Sequence, residues 1–326
     1  MLHFTKVLMR LNHDRFISGQ ELADIHKVTR ATIHNCIQKI DKLGIEIERV
    51  RGLGYRLIHP VDFLDKEIIH SHFPAQIQQM CSQLQCLDEI DSTNEFASSI
   101  GMPSSNKFYA VLAERQMAGR GRRGREWVSP YAANIYLSIV WPLQRPLHEA
   151  GILSPMLALN ILKCLNQLGV PNLGLKWPND IYCNERKLSG LLVECTGGIT
   201  DTCKLVIGVG VNVAMSRVKH VEIDQQWTDI SANVKDWSYS RNELSAQLIT
   251  SLVDGVLLFE QHNTSDSVDE WMGWDITLNK HVIIYSEGNE RSGIARGIDH
   301  NGCLLMETES GVEKISAGDV SLRVQS

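Results

Sequence analysis

Residues 115–129 read RQMAGRGRRGREWVS, from Arg115 to Ser129. Within them Gly119 to Arg125, G-R-G-R-R-G-R, set four guanidinium groups on a backbone that Gly119, Gly121 and Gly124 leave free to take positive φ and to approach a ligand closely. Arginine's planar fork bonds carboxylate and phosphate oxygens two at a time, and glycine N–H groups add an anion-binding nest. A small acid beside a nucleotide phosphate suits such a loop; a solvated basic loop, or an RGG-like tract on nucleic-acid phosphates, suits the heptad alone equally well. The flanks favour a pocket. FYAVLA (Phe108 to Ala113) and NIYLSIVW (Asn134 to Trp141) are apolar and strand-like, so the arginines hang between two buried strands.

Upstream, Ser92, Thr93 and Asn94 follow a strand end and offer hydroxyls and an amide to an uncharged polar ligand, or simply cap a helix beginning at Glu95. Downstream, Ile152, Met156, Leu159, Leu162 and Leu165 mark a core helix. In Lys176-Trp177-Pro178-Asn179-Asp180 the lysine suits a phosphate and the two oxygen donors suit Mg²⁺; an ordinary Asn-Asp turn reads the same way. Lys187, at a hairpin entering the strand Leu191 to Cys195, either neutralises a carboxylate in the pocket or is a surface turn lysine. The strand Leu205 to Val213 is apolar on both faces, with Gly208 and Gly210 leaving room for a flat ring or for close strand packing, and Asn212 near its end. Leu244, Leu248, Leu252, Val256 and Phe259 make a second core helix, and the last fifty or so residues break into short alternating strands joined by Glu-Gly-Asn, His-Asn-Gly and Ser-Gly turns, as in a small SH3-like β-barrel.

The first sixty residues are different. Phe4, Val7, Leu8 and Leu11 form one apolar stripe; Ser18 and Glu21, around Gly19 and Gln20, make a capping box; Thr29 caps a third helix with Ile33, Ile37 and Ile40 inside. Its outer face carries Arg30, Thr32, His34, Asn35, Gln38 and Lys39, and a hairpin follows around Arg51 to Gly54: a winged helix-turn-helix. Residues 1–60 hold ten Lys or Arg against six Asp or Glu, while the remainder holds 22 against 32. That asymmetry favours DNA for the first domain, with basic groups on phosphates and Thr32, Asn35 or Gln38 at base edges, although winged helices also dock proteins.

At 326 residues, 43% hydrophobic and 21% charged, the chain suits an ordinary globular protein of two or three domains. It has no run near the roughly 18 apolar residues of a membrane span, and MLHFTKVLMRLNHDR carries charge where a signal peptide needs apolar residues, so a cytoplasmic location is expected. The eight cysteines show no C-x-x-C pair, which points to reduced thiols rather than structural zinc.

A winged helix followed by D-S-T-N, Q-x-A-G-R-G-R-R-G-R-x-W, K-W-P-N-D, R-K-L-x-G-x-L-V-E, G-x-G-x-N and a small β-barrel resembles the bacterial bifunctional biotin protein ligases that also repress the biotin operon. The likeness covers essentially the whole chain and implies an α+β, multidomain fold: a DNA-binding domain over 1–60, a mixed-sheet, class II synthetase-like ligase domain over 61–272, and an SH3-like domain over 273–326. It implies ATP and Mg²⁺ with biotin as substrate, biotinyl-5′-AMP as intermediate, and transfer to a lysine of the biotin carboxyl carrier protein. It further implies a homodimer that forms with the adenylate bound and then holds operator DNA. By the same resemblance Ser92, Thr93, Asn94 and Gln116 meet biotin's head group; Gly119, Arg120 and Gly121 its carboxylate side; Arg122 and Lys187 bridge toward phosphate. Arg120, Arg122, Arg125, Lys176, Asn179 and Asp180 serve ATP, with Asn179 and Asp180 as Mg²⁺ ligands, and Asn212 and Trp227 the nucleotide. Arg120, Arg122, Lys176 and Lys187 carry catalysis, by positioning and charge stabilisation rather than proton transfer. Ser18, Gly19, Gln20, Glu21, Thr29, Arg30, Thr32, His34, Asn35, Gln38 and Lys39 form the DNA face. The arginine loop is expected to order around biotin or the adenylate and shield it from water. Two other classes fit parts of the pattern: a ligand-sensing transcription factor without ligase activity, and a lipoate-type acyl ligase. Biotin-dependent ATP–pyrophosphate exchange separates the first, and trial of each acid the second.

Overall fold

Ser18 Oγ accepts from Glu21 N–H at 3.0 Å and Thr29 Oγ1 from Thr32 N–H at 3.2 Å, so the two capping residues open helices α2 and α3 as their sequence dictates. In the computed structural model, which describes residues 2–196, 203–219, 221–261, 265–286, 289–318 and 320–324, α1 (Phe4–Leu8), α2 (Gly19–His26) and α3 (Arg30–Lys42) precede a hairpin, β1 (Ile47–Val50) and β2 (Gly54–Leu57). Lys27 takes the left-handed conformation (φ 53°) in the turn between α2 and α3, and Gly44 (φ 82°) follows α3. Phe4, Val7, Leu8, Leu22, Ile33, Ile37 and Ile40 are the core of this domain. One of its core residues comes from far along the chain: Tyr131 is buried there, edge-on to Phe4 at 5.5 Å, with its hydroxyl on Asp88.

After the hairpin come α4 (Lys66–Ser71), α5 (Ala75–Met80) and the first strand of the central sheet, β3 (Cys81–Ile90). Its sequence, CSQLQCLDEI, does not alternate cleanly: none of its residues is fully buried, and its register with β4 shifts between Cys81 and Gln83. After α6 (Thr93–Ser99) come β4 (Phe108–Gln116), β5 (Ile135–Leu143), α7 (Leu153–Gln167), β6 (Leu173–Lys176), β7 (Asp180–Cys183), β8 (Arg186–Thr196) and β9 (Cys203–Val211). The sheet order is β3-β4-β5-β9-β8-β7-β6, with β3 and β4 parallel and the other pairs antiparallel, a mixed sheet. α7 and α9 (Arg241–Glu260, after the short α8, Ile230–Asn233) cover one face. The opposite face is left for the site.

α10 (Ser265–Trp274) leads into five antiparallel strands, β10 (His281–Ser286), β11 (Asn289–Ile298), β12 (Leu304–Thr308), β13 (Gly311–Ile315) and β14 (Val320–Val324), in the order β13-β12-β11-β10-β14. The turn expected at Glu287 and Gly288 lies outside the described residues. This sheet docks directly on the K-W-P-N-D turn: Trp177 Nε1 donates to Gly302 O at 2.9 Å, and Ile276 N to Leu175 O at 3.0 Å.

The segment joining the first domain to the rest is clasped rather than loose. Arg241, 5% exposed, donates to Asp62 O at 2.6 Å, Glu114 Oε2 at 2.7 Å and Asn134 O at 2.7 Å, while Glu114 Oε1 accepts from Leu64 N at 2.6 Å.

Candidate functional site

The free face of the sheet opens into a cleft of about 1420 Å³. Among the described residues eight Lys or Arg line it against five Asp or Glu, in a chain whose net charge is −6, so this wall is locally positive where the whole is not.

One end is neutral and polar. The helix expected at Glu95 begins at Thr93, because Ser92 is its N-cap and accepts from Glu95 N–H at 3.4 Å. Capping and ligand contact therefore coexist: Ser92, Thr93 and Asn94 are 2–4% exposed and all three line the cleft. Gln116, at the end of β4, accepts from Thr93 N at 2.8 Å and Thr93 Oγ1 at 3.0 Å, and donates to Ser129 Oγ at 3.2 Å. Ser138 donates within 2.8 Å of Thr93 Oγ1 and 2.6 Å of Asn94 Oδ1, and Asn94 Nδ2 reaches Glu194 Oε2 at 2.8 Å. Ser129, Ser138 and Glu194 were given no role by the sequence reading, although Ser129 closes the opening stretch and Glu194 ends the R-K-L-x-G-x-L-V-E motif; Ser138 shows only as a lone hydroxyl inside an apolar strand.

The arginine loop folds back on itself. Gly121 N donates to Arg125 O at 2.7 Å and Trp127 N to Gly119 O at 2.8 Å, with Arg120 bridged to Glu126. Of its three glycines only Gly124 has positive φ (67°), and Arg123 shares that conformation at 59°. Gly119 serves close approach instead: a Cβ there would lie 2.5 Å from Trp127 O and 2.9 Å from Gln116 Nε2. Gly119 is buried behind the cleft wall, whereas Arg120, Gly121, Arg122 and Arg125 line it. Arg122 reaches Asn179 Oδ1 at 3.5 Å and the carbonyls of Ala317 and of Gly318, the latter at 2.8 Å, so the loop touches the C-terminal sheet as well.

At the cationic end Lys187 pairs with Asp180 at 2.8 Å, across the hairpin register that brings Asp180 opposite Gly190. Lys176 lies beside the Tyr182 ring and hydroxyl, 3.5 Å from the latter. Burial lowers the Lys176 pKa, partly opposed by Asp180 and reinforced by Lys187 and Arg125. The flat ring accommodated by glycine in β9 is the chain's own: a Cβ on Gly210 would lie 2.3 Å from Trp127 Cε2, and one on Gly190 3.2 Å from the same ring. Gly208 is occupied by Asn94 in the same way, at 2.2 Å from Oδ1. Trp127, which the sequence reading left without a role, has a buried Nε1 with no hydrogen-bond partner.

Asn212 is turned inward: Nδ2 donates to Thr228 O at 3.0 Å and Oδ1 accepts from Asn134 at 3.5 Å. It thereby fixes the segment carrying Trp227, which makes an isolated bridge to Lys187 and lines the cleft. As metal donors, Asn179 and Asp180 are each engaged with a cation, and among the described residues no group of three or more His, Cys, Asp or Glu gathers around a metal position. The pair suits only an ion that brings most of its oxygen ligands with it.

On the first domain Gln20, Glu21, Thr29, Arg30, His34, Asn35, Gln38 and Lys39 are exposed on one side, and Ser18, Gly19 and Thr32 are half-buried. Gln38 bonds His34 at 3.0 Å, and the wing arginines Arg49 and Arg56 are paired with Asp41 and Glu48. No helix among the described residues is long and apolar enough to cross a membrane.

Fold and site together define a class: a ligase-type domain with a cationic cleft, preceded by a DNA-binding domain and followed by a small β-domain. Three family models match in that order, an HTH domain over residues 4–56, the biotin/lipoate A/B protein ligase family over 86–212, and the biotin protein ligase C-terminal domain over 277–323. The bifunctional ligase/repressor BirA of Salmonella typhimurium is 38% identical over 309 residues, 94% of this chain and 93% of the relative. That of Escherichia coli is 36% identical over 319 residues, 98% and 96%. The biotin protein ligase of Aquifex aeolicus in complex with biotin and ATP superposes with a TM-score of 0.64 at 26% identity, over 75% of this chain and all of that one. The chain belongs to the family of bifunctional biotin protein ligase/repressors.

Proposed function

We infer that the protein activates biotin with ATP, transfers it to a lysine of the biotin carboxyl carrier protein of acetyl-CoA carboxylase, and represses biotin synthesis through its winged helix. The observation that carries this reading is the meeting, in one cleft, of the neutral Ser92-Thr93-Asn94 group with Arg120, Arg122, Arg125, Lys176 and Lys187. A carboxylate attacking a phosphorus brings two anions together, and fixed cations lower that barrier by positioning and electrostatic stabilisation. ATP is consumed as a substrate and gives the acid an AMP leaving group. In this reading Ser92, Thr93, Asn94 and Gln116 hold the head group, while Gly119, Arg120 and Gly121 flank its carboxylate. Arg122 and Lys187 act where carboxylate and phosphate meet, and Arg120, Arg125, Lys176, Asn179 and Asp180 serve the phosphates. Trp227 covers the base, steadied by Asn212. Asn179 and Asp180 would supplement the triphosphate oxygens in holding Mg²⁺, which would offset the phosphate charge.

The reading divides the chain into a DNA-binding unit (1–60), a ligase unit (61–272) and a C-terminal unit (273–326), acting in the cytoplasm. The adenylate-bound form dimerises and aligns two winged helices with two half-sites, since a single module holds DNA weakly. Unbiotinylated carrier competes for the dimer surface. Biotin-dependent ATP–pyrophosphate exchange tests the ligase reading: exchange with biotin and none with lipoate is expected, and exchange with lipoate alone would overturn it. A gel shift on the operator, run with and without biotin and ATP, tests repression.

A further inference from the structure

Asn94 is an amide at the neutral end of the cleft whose oxygen and nitrogen are each held by a side chain, Ser138 and Glu194, that does not itself line the cleft. Ser138, Gly208 and Leu192 stand in register across β5, β9 and β8, and Asn94 lies over this row, 4% exposed. Its Nδ2 carries two hydrogens, one directed at Glu194 Oε2 (2.8 Å) and one at Leu192 O (3.4 Å). Its Oδ1 receives Ser138 Oγ at 2.6 Å and retains a second lone pair.

The two ends of an amide are nearly isosteric, so neighbours decide which end a ligand meets. Ser138 cannot decide, because a hydroxyl both donates and accepts. Glu194 can, because an ionised carboxylate only accepts and therefore holds Nδ2 against itself. Glu194 has no cation partner in an ion pair among the described residues, so its charge is directed at this amide. With both Nδ2 hydrogens committed, what Asn94 offers the cleft is an acceptor, and the ligand group that meets it must be a donor, which for an uncharged cyclic head group such as biotin's is a ring N–H.

We propose that Glu194, although outside the cleft, is a positioning residue that fixes Asn94 as a hydrogen-bond acceptor and so selects acids whose head group carries a ring N–H. This rests on the biotin-ligase reading and names the source of its head-group selectivity. Glu194→Gln keeps the shape but supplies a donor, so Asn94 is free to turn its own N–H groups toward the ligand.

The test uses the full-length protein in biotin-dependent pyrophosphate exchange, with biotin and with two analogues each methylated at one ring nitrogen. The parent protein is run first: absence of exchange with biotin in the parent strikes the ligase reading, not this proposal. For Glu194→Gln the expected result is a KM for biotin raised about tenfold, equivalent to about 1.4 kcal/mol, with kcat within twofold and a biotin-to-analogue selectivity reduced at least threefold. Glu194→Met, which removes the acceptor without adding a donor, moves KM in the same direction; whichever variant keeps the parent's unfolding midpoint decides. A KM for biotin within twofold of the parent, or a fall in kcat with KM and selectivity unchanged, overturns the proposal.

Discussion

Gly208→Ala tests the cleft floor with a single methyl group. The new Cβ would stand 2.2 Å from Asn94 Oδ1 and 2.8 Å from Cγ, where ordinary contact begins at 3.4 Å. Asn94 must therefore retreat by more than about 1 Å, or β9 must bend, and overpacking of this kind typically costs about 1–3 kcal/mol. The retreat stretches the bonds to Ser138 and Glu194, now 2.6 and 2.8 Å, to or past the limit of a hydrogen bond. Each loss removes about 1 kcal/mol of net interaction. We expect urea unfolding to report a destabilisation of about 1–3 kcal/mol and the KM for biotin to rise at least about tenfold, the equivalent of 1.4 kcal/mol. The KM for ATP should change much less, because the lysines stand at the other end. If the variant unfolds within about 0.5 kcal/mol of the parent, the range of ordinary surface substitutions, and keeps its KM for biotin, the tight seating of Asn94 on Gly208 is wrong.

Arg122→Gly removes the contacts to Asn179, Ala317 and Gly318; release of the activated acid, seen as biotin on bystander lysines, is expected, and retention equal to the parent's would contradict that role. Arg241→Met leaves Glu114 buried without its cation and should destabilise the fold by about 3–5 kcal/mol, most of it regained in Arg241→Met with Glu114→Leu; denaturant melts decide. Burial depresses Lys176, so its charge, and with it phosphate binding, is lost as pH rises through a value below that of an ordinary lysine. The same depression means that stability gains with pH across that window, since the unfolded chain then holds more protons. An alkaline limb in kcat/KM for ATP that Lys176→Arg moves upward is the expected profile, and an unmoved limb assigns it elsewhere. Arg30→Ala should weaken DNA binding alike on all sequences and reduce the salt slope by about 1; a gel-shift titration over several salt concentrations measures this, and loss confined to one sequence would instead make Arg30 a base reader.

The parts of the fold legible in the sequence are those written in local chemistry. Ser18, Thr29 and Ser92 cap helices because their hydroxyls lie three residues before a free N–H. FYAVLA and NIYLSIVW become neighbouring strands because both are covered on two faces. The end of β3 before Ser92 was read but the strand as a whole was not, since its residues do not alternate and its register with β4 shifts between Cys81 and Gln83, and the strand at Val320–Val324 was missed for want of a strong turn before it. In the site, most residues in motifs were given roles and partners recruited across strands were not, Glu194 among them although it ends the R-K-L-x-G-x-L-V-E motif. Ser138 and Glu194 reach Asn94 from positions 44 and 100 residues away, a proximity that only the register of β5, β9 and β8 creates. Gly208 and Gly210 were read as room for a flat ring or for close strand packing; what fills the room is the side chains of Asn94 and Trp127.

Tyr131 sits two residues beyond Ser129, on the far side of the arginine loop from the chain's start, yet it is buried in the core of the first domain. A truncation at residue 60 thus removes a module and also strips the wrapping from an aromatic ring whose neighbours hold the loop's base. The two halves are not interchangeable parts: a winged helix grafted from a distant relative would have to bring a socket for that ring, and a shortened enzyme would expose it to water beside its own arginine loop.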